Sequence, residues 1–348
     1  MSQPPLDNKT DFAAHPQLLL DRDGEKLVTI VKATFELPPG GGALVLAPEP
    51  RTRGVRFADV PWGKPEISSV LYPADLCLRK PGTDVIVVAR AYAPGGKSVP
   101  SFDVGVRVGA LQKTVRIFGL RVWEEGGAGL SAARPVAEMD MRYDHAWGGT
   151  DDSNPARFIE EPRNPVGLGM TGDPRALTHK PAPNLEDPQH LIASFRTRPP
   201  PAGIGAIGRH WEPRRRFAGT YDEQWLDHRA PLLPEDMDDR FNNCASPGLT
   251  AEPPLAGGEA VALLNLVTGG GATVFALPKV TVEIEFRVKD REPAVFTPHL
   301  DTVLIDLLET GPDKPIAVEM VWRAHVRAPR RMKHARVIVR EREREVTS

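Results

Sequence analysis

Short spans in the first and last thirds of the chain alternate hydrophobic with polar positions at the period of a strand. In KLVTIVKATFEL (26–37), Val28, Ile30 and Lys32 fall on one side and Val31, Ala33 and Phe35 on the other. TDVIVVARAYAP (83–94) is a continuous apolar run closed by turn residues, which predicts a buried strand. SFDVGVRVGALQKTVRIFG (101–119) predicts a hairpin that turns at Gly109, with Lys113 to Phe118 in the return strand. EAVALLNLV (259–267), TVFALP (273–278), KVTVEIEFRV (279–288), HLDTVLIDLLE (299–309) and PIAVEMVWRAHVR (315–327) predict further strands. Of these, VTVEIEFRV separates most cleanly: Val280, Val282, Ile284, Phe286 and Val288 oppose Thr281, Glu283, Glu285 and Arg287, one side for a core and one for solvent. The tail ARVIVREREREVTS starts as a strand that its charge run ends. No segment carries a helical stripe long enough for a βαβ crossover.

The middle has another pattern. Residues 135–258 place Pro, Gly or Asn every few positions, yet they include Trp147, Phe158, Trp211, Phe217, Tyr221 and Trp225. A structureless loop of this length does not suit a compact domain, so these aromatics are expected to hold the span against a β core. Short helices are predicted at TYDEQWLDH and PEDMDDRFNN, the second with Pro234 in its first turn and acids at the positive end of its dipole. The expected fold is mainly β, with sandwich-like antiparallel sheets, long ordered Pro/Gly-rich loops and a few short helices. The regions are 1–134, 135–258 and 259–348, with the outer strand sets able to join in one assembly.

Composition agrees with an ordered globular chain. Hydrophobic residues are 41% and charged residues 26%. With 36 prolines and 31 glycines in 348 residues, about a fifth of the chain is punctuation, against a usual share of roughly 12%. These residues are spread out, as tight turns require. A net charge of −2 gives no whole-molecule attraction to nucleic acid. Two cysteines, Cys77 and Cys244, fit a reducing compartment better than a disulfide scaffold. No basic start leads into an apolar run, so no signal peptide is expected. No apolar stretch approaches the roughly 20 residues of a membrane span. A cytoplasmic location is expected.

Candidate chemistry is sparse. GIGAIG (203–208) matches G-x-G-x-x-G, but RPPPA precedes it where a dinucleotide site needs a strand, so a turn-rich loop is expected and no cofactor. The nine histidines are scattered. His299 and Asp301 share a strand start, short of the three or four ligands a metal needs, so no metal site is expected. No G-x-S-x-G elbow or catalytic cysteine motif is present, and no catalytic residue is expected. Acid pairs such as Asp222 with Asp227, or Asp236 with Asp239, have the makings of a glycosidase site. Helix capping accounts for Asp236, Asp238 and Asp239 equally well. Arg214, Arg215 and Arg216, with Arg323, Arg327, Arg330, Arg331, Lys333, Arg336, Arg340, Arg342 and Arg344, are expected as solvated surface, the last of them interleaved with Glu341, Glu343 and Glu345; a nucleic-acid groove and an acidic protein partner are the other readings.

The series LVTIVKATFEL, DVPWGKPE, DLCLRKPGTDVIVVARAYAP, KTVRIFGLRVW, MRYDHAWGG, NPVGLGM, PAPNLEDP, PPAGIGAIGRHWEPR, AGTYDEQW, LPEDMDDRFNN and GGEAVALLNL, closed by DTVLIDL and MVWRA, resembles the bacterial domain of unknown function (DUF) 2169 family over about residues 15–327. Trp147 stands where members often have Phe, and Met237 replaces the Phe of an Asp-Phe pair. The resemblance implies an association with type VI secretion clusters. The implied role is an adaptor or chaperone that binds a PAAR-containing or spike-linked effector and helps load it onto the VgrG spike. It implies no enzyme, catalytic residue or cofactor. A spike-associated structural module and a carbohydrate- or peptidoglycan-active hydrolase are the alternatives. The positions it carries over are Trp147, Gly148, Gly149, Asn184, Glu186, Gly219, Tyr221, Asp222 and Trp225, as structural or partner-binding motif residues. For Tyr221 and Trp225 two readings stay open, anchoring the loop to the core or touching a partner. No nucleic acid or membrane partner is expected.

Overall fold

A computed structural model describes residues 4–39, 41–154, 156–308, 314–329 and 335–341. Of the basic set, Arg330, Arg331, Lys333, Arg342 and Arg344 lie outside the described residues, as do His334, the interleaved Glu343 and Glu345, and the end of the strand expected at 299–309. The labelled strands are β1 (Leu6–Asn8), β2 (Ala13–Asp21), β3 (Gly24–Leu37), β4 (Thr83–Val88), β5 (Ser101–Val108), β6 (Leu111–Phe118), β7 (Leu185–Glu186), β8 (Thr250–Ala251), β9 (Ala260–Leu264), β10 (Ala272–Ala276), β11 (Val282–Val288), β12 (Ala294–Phe296), β13 (Leu300–Asp306), β14 (Ile316–Arg327) and β15 (Ala335–Glu341).

The central sheet runs β8-β4-β13-β14-β3-β2. A second sheet runs β7-β6-β5-β9-β10 and a third β1-β15-β11-β12. Strands from the first and last thirds of the chain therefore interleave. Most pairings are antiparallel, as expected, but β4 pairs β13 in parallel, as does β1 with β15. The parallel neighbours are joined by more than 200 residues of intervening chain rather than by a crossover helix.

Register decides which residues share a face. Val31, Ala33 and Phe35 of β3 join Val318, Met320 and Trp322 of β14, and with Val85, Val87, Val303 and Ile305 they enter one apolar cluster. Val104, Val106 and Val108 of β5, Ile284 and Phe286 of β11, and Val337 and Val339 of β15 belong to the same cluster. This is the layered β packing that the alternation predicts. Glu285, on the expected wet side of β11, is instead buried under Arg287 and Arg340.

The opposite face of the central sheet is buried as well, and it is charged. Lys32 Nζ lies 2.9 Å from Asp75 and 2.7 Å from Glu319. Glu319 also accepts from Arg53 at 3.0 Å and Arg56 at 2.5 Å, and Arg53 reaches Asp306 at 2.7 Å. Lys32, Asp75, Asp306 and Glu319 are all buried. Three cations meet three carboxylates, and the Tyr72 hydroxyl donates to Asp306 at 2.7 Å. Burial pushes the Asp75 carboxyl up, but Lys32 and Arg56 outweigh it and hold the group below the ordinary range. Farther along the sheet, Lys80 Nζ donates to Asp84 at 2.8 Å and Thr302 at 2.9 Å, and Arg323 forks onto Asp301 at 2.6 and 2.9 Å. Burial again raises the Asp84 carboxyl and Lys80 more than reverses it. A small apolar cluster of Val28, Ile30, Leu78 and Val321 fills the space between these groups. Arg323 and Arg214, expected at the surface, are thus both buried. Both cysteines are free, and the Cys244 amide donates to Asp84.

In the middle region Trp147 and Trp211 are buried as expected, but Phe158 and Tyr221 are 63% and 54% exposed and pin nothing to the core. The first predicted helix forms as Glu223–His228. The second does not. Pro234 opens a turn closed by Met237 N–H, and Asp238 then caps the 3₁₀ turn Asp239–Asn242. Here each short acid side chain bonds a nearby amide, a local competitor of regular helix.

Two outcomes follow from the charged layer. Glu319→Gln leaves Lys32, Arg53 and Arg56 short of one negative charge and is expected to cost about 3–5 kcal/mol in urea unfolding. The pair Lys32→Met with Glu319→Leu restores balance and recovers more than half of that loss. Because Asp75 and Asp84 titrate below their unfolded values, their stabilisation is complete above about pH 4 and is lost as pH falls through the native values. An acid titration of the midpoint, steeper in wild type than in Asp84→Asn, checks this.

Candidate functional site

The nine motif positions separate into two groups. Trp147 joins Trp123, Leu177, Ala182 and Ile192 in a second, smaller core. Gly148 has φ of +149°, and a Cβ there would fall 2.2 Å from the Asn164 carbonyl, so only glycine fits. The fully buried Asn164 donates to the carbonyls of Tyr143 and Trp147, and Gly149 donates its N–H to the Asn164 carbonyl. Asn184 donates to the carbonyls of Phe118 and Gly119, while Glu186 pairs with Arg121 and accepts from the Ile192 amide at 2.7 Å. These five residues are braces, closed off from a partner by burial or by their bonds.

The second group lies on an exposed knot. Asp222 caps the helix by accepting from Trp225 N at 2.8 Å. Tyr221 packs edge-on against Trp225 at 4.7 Å, and Trp225 Nε1 donates to the Leu232 carbonyl. Gly219 abuts Pro234. Neither aromatic reaches the core; each steadies the loop locally, and Tyr221 stays open to solvent beside the exposed Leu226. Among the described residues, no hydrogen bond, ion pair or ring contact joins the two groups.

Asp222, Glu235, Asp236, Asp238 and Asp239 of 214–243 are committed to caps or ion pairs. Asp236 accepts from Thr220 N and Oγ1 at 2.9 and 2.7 Å, Asp238 pairs with Arg240, and Asp239 with Arg79 at 2.6 Å. Arg240 lies over the Phe217 ring at 4.3 Å, and the buried Arg214 donates to the Ile207 and Phe241 carbonyls. Asp236 and Asp239 are thus bound to different partners, and Asp222 to the helix it caps. His299 bonds the Lys80 carbonyl and Asp301 is held by Arg323, so these two are also engaged elsewhere. Among the described residues, no three His, Cys, Asp or Glu side chains converge on a metal-sized point.

A concavity lies elsewhere, where the middle region meets the second sheet. It is a cleft of about 870 Å³ floored by Gln112, Lys113 and Thr114 of β6. Five prolines, Pro188, Pro200, Pro201, Pro213 and Pro247, stand in its walls beside Gln189, Ala202 and Glu212. Tyr143 and Ile207 close the inner end, and Arg163 and Arg216 line the sides. Ser246, fully buried, joins the parts: its hydroxyl donates to the Gly203 carbonyl at 2.7 Å and accepts from Lys113 Nζ at 2.6 Å, while Tyr143 OH sits 2.6 Å away. Lys113 also donates to the Pro247 carbonyl at 2.7 Å. Burial pulls the Lys113 ammonium down to about 8, with Asp187 only partly offsetting it. Burial pushes the Tyr143 phenol up to about 12.

The glycines of GIGAIG serve this junction. Tyr143 packs so closely on Gly203 that a Cβ would meet the ring at 2.5 Å, and Ile204 O accepts from Val87 N of β4. The motif is a packing surface for Tyr143 and Trp211, whose rings meet at 5.6 Å. Lys113, Tyr143 and Ser246 were invisible as a set because they lie in three segments. Their only sequence signal is a lysine in an otherwise ordinary hairpin strand.

Gly203→Ala is expected to cost about 1–3 kcal/mol by overpacking the Tyr143 ring. In a Tyr143→Ala background that cost should vanish, and urea unfolding of the four proteins reads the coupling.

No curated protein and no solved structure matches the chain. A family model does match, over residues 22–323, nearly the whole of the ordered β framework and the cleft with it. The chain therefore belongs to the family described as an uncharacterized protein conserved in bacteria, DUF2169.

Proposed function

We propose that this protein is a binding adaptor that holds a segment of a partner protein in the β6 cleft and performs no chemistry on it. The partner is a type VI secretion effector, PAAR-containing or spike-linked, which the adaptor helps load onto the VgrG spike from the bacterial cytoplasm. The observation that carries the binding reading is the cleft itself, whose walls of proline are set before a partner arrives. Rigid walls lose little conformational freedom on binding, so more of the contact energy appears as affinity. Supporting the absence of chemistry, the one serine hydroxyl beside the cleft lysine is buried and engaged by three groups, and is not presented to a substrate. Among the described residues, no helix is long and apolar enough to cross a membrane.

Deletion of the gene is expected to abolish export of one effector while others leave normally, with that effector co-purifying with the tagged adaptor from cell extracts. Thr114→Trp, at an exposed position on the cleft floor, is expected to lose the co-purification with an unchanged melting temperature. Normal export of every effector from the deletion strain overturns the reading. Recovery of this chain in the secreted fraction with the spike favours a structural module instead.

A further inference from the structure

Three cations line the cleft, and two of them are already neutralised. Arg163 forks onto Glu161 at 2.5 and 3.0 Å, and Arg216 meets Glu212 at 2.8 Å. Asp187, the lining acid nearest in charge to Lys113, is taken by His190 at 2.9 Å. Lys113 has no carboxylate within ion-pair distance among the described residues; its two bonds go to a hydroxyl and a carbonyl. A lysine ammonium has three N–H donors, so one remains uncommitted. Elsewhere in this molecule an enclosed lysine is matched to a carboxylate, as Lys32 is to Asp75 and Glu319 and Lys80 to Asp84. Lys113, half-buried at the cleft floor, has no such match.

The surroundings define what would complete it. The five wall prolines have no backbone N–H, so at those positions the wall cannot donate to a guest strand. They offer apolar surface and carbonyl oxygens. An extended segment would bury its apolar side chains on the prolines and spend one anionic group on the lysine. A carboxylate beside an enclosed ammonium forms a short, charge-assisted hydrogen bond. It would also relieve the burial cost that now weakens the Lys113 proton.

We infer that the cleft takes an extended peptide segment bearing one carboxylate, a chain terminus or an acidic side chain, which pairs with Lys113 Nζ. This rests on the adaptor reading for the identity of the guest and sharpens it to an acid-bearing segment. Ser246 and Tyr143 then act as positioning residues that fix the ammonium from beneath.

The test pans a library of random eight-residue peptides, displayed with a free carboxy terminus, on the immobilised full-length chain. Selected peptides are expected to share an acid at one position or at the terminus. By calorimetry, the synthetic acid should bind at least about 10-fold tighter than the same peptide with that group as an amide. In Lys113→Met the ratio should fall to near one. Three results overturn the inference: no selectable peptide, equal affinity for acid and amide, or a ratio retained in Lys113→Met. The acid-to-amide comparison on the unmodified protein needs no variant, so poor folding of Lys113→Met leaves the inference open to refutation. If it fails while the deletion strain still loses its effector, the adaptor reading stands without the carboxylate. If acid-selective binding is found and export is normal, the adaptor reading falls and the site remains.

Discussion

Glu319 sits at 1% exposure with Lys32, Arg53 and Arg56 all within 3.0 Å of its carboxylate, and most of the architecture follows from keeping that arrangement neutral. A charged sheet face that is buried cannot be covered by apolar chain alone. It must be roofed by chain that brings opposite charges. The segment after β3 does this, delivering Arg53, Arg56 and Asp75, and the stretch before β8 does it again with Asn243 and Cys244 on Asp84. Taking such groups from water carries a large penalty that only near-ideal geometry offsets. The balanced sheet face thereby dictates where two long irregular segments lie, which no propensity of their own would fix.

The cleft is a by-product of that placement. Once the middle region is tied down at Arg214, Asn243 and Ser246, its prolines stand against the second sheet and enclose a space they do not fill. Five of the seven acids in 214–243, Asp222, Glu235, Asp236, Asp238 and Asp239, hold caps or ion pairs. The lysine at the cleft floor lies more than a hundred residues earlier.

How much of this was legible depends on whether a signal is local. Strand period is local, and β3, the β5–β6 hairpin, β11 and β14 stand where alternation puts them. Capping is local, and Asp222 starts its helix. The second helix failed because Asp236 and Asp238 turn to amides of their own loop. Arg323 was misplaced for another reason: a charge in a strand reads as a wet position, and only the pairing of β13 with β14 brings up Asp301 to cancel it. Trp147 and Tyr221 look alike as aromatic punctuation, and nothing nearby tells that one is roofed by a second core and the other is not. The site was illegible because its lysine, tyrosine and serine meet only after folding.

The interleaved order of the central sheet sets a schedule for the chain as it leaves the ribosome. β4 is made early, but its partner β13 arrives some two hundred residues later, and β3 waits for β14. Contacts of such sequence separation form slowly, since the loop must close before any pairing rewards it. Until residue 327 emerges, β3 and β4 present bare edges and half of an unbalanced charge layer. A protein proposed to look after another thus spends most of its own synthesis with two of its central strands short of a neighbour.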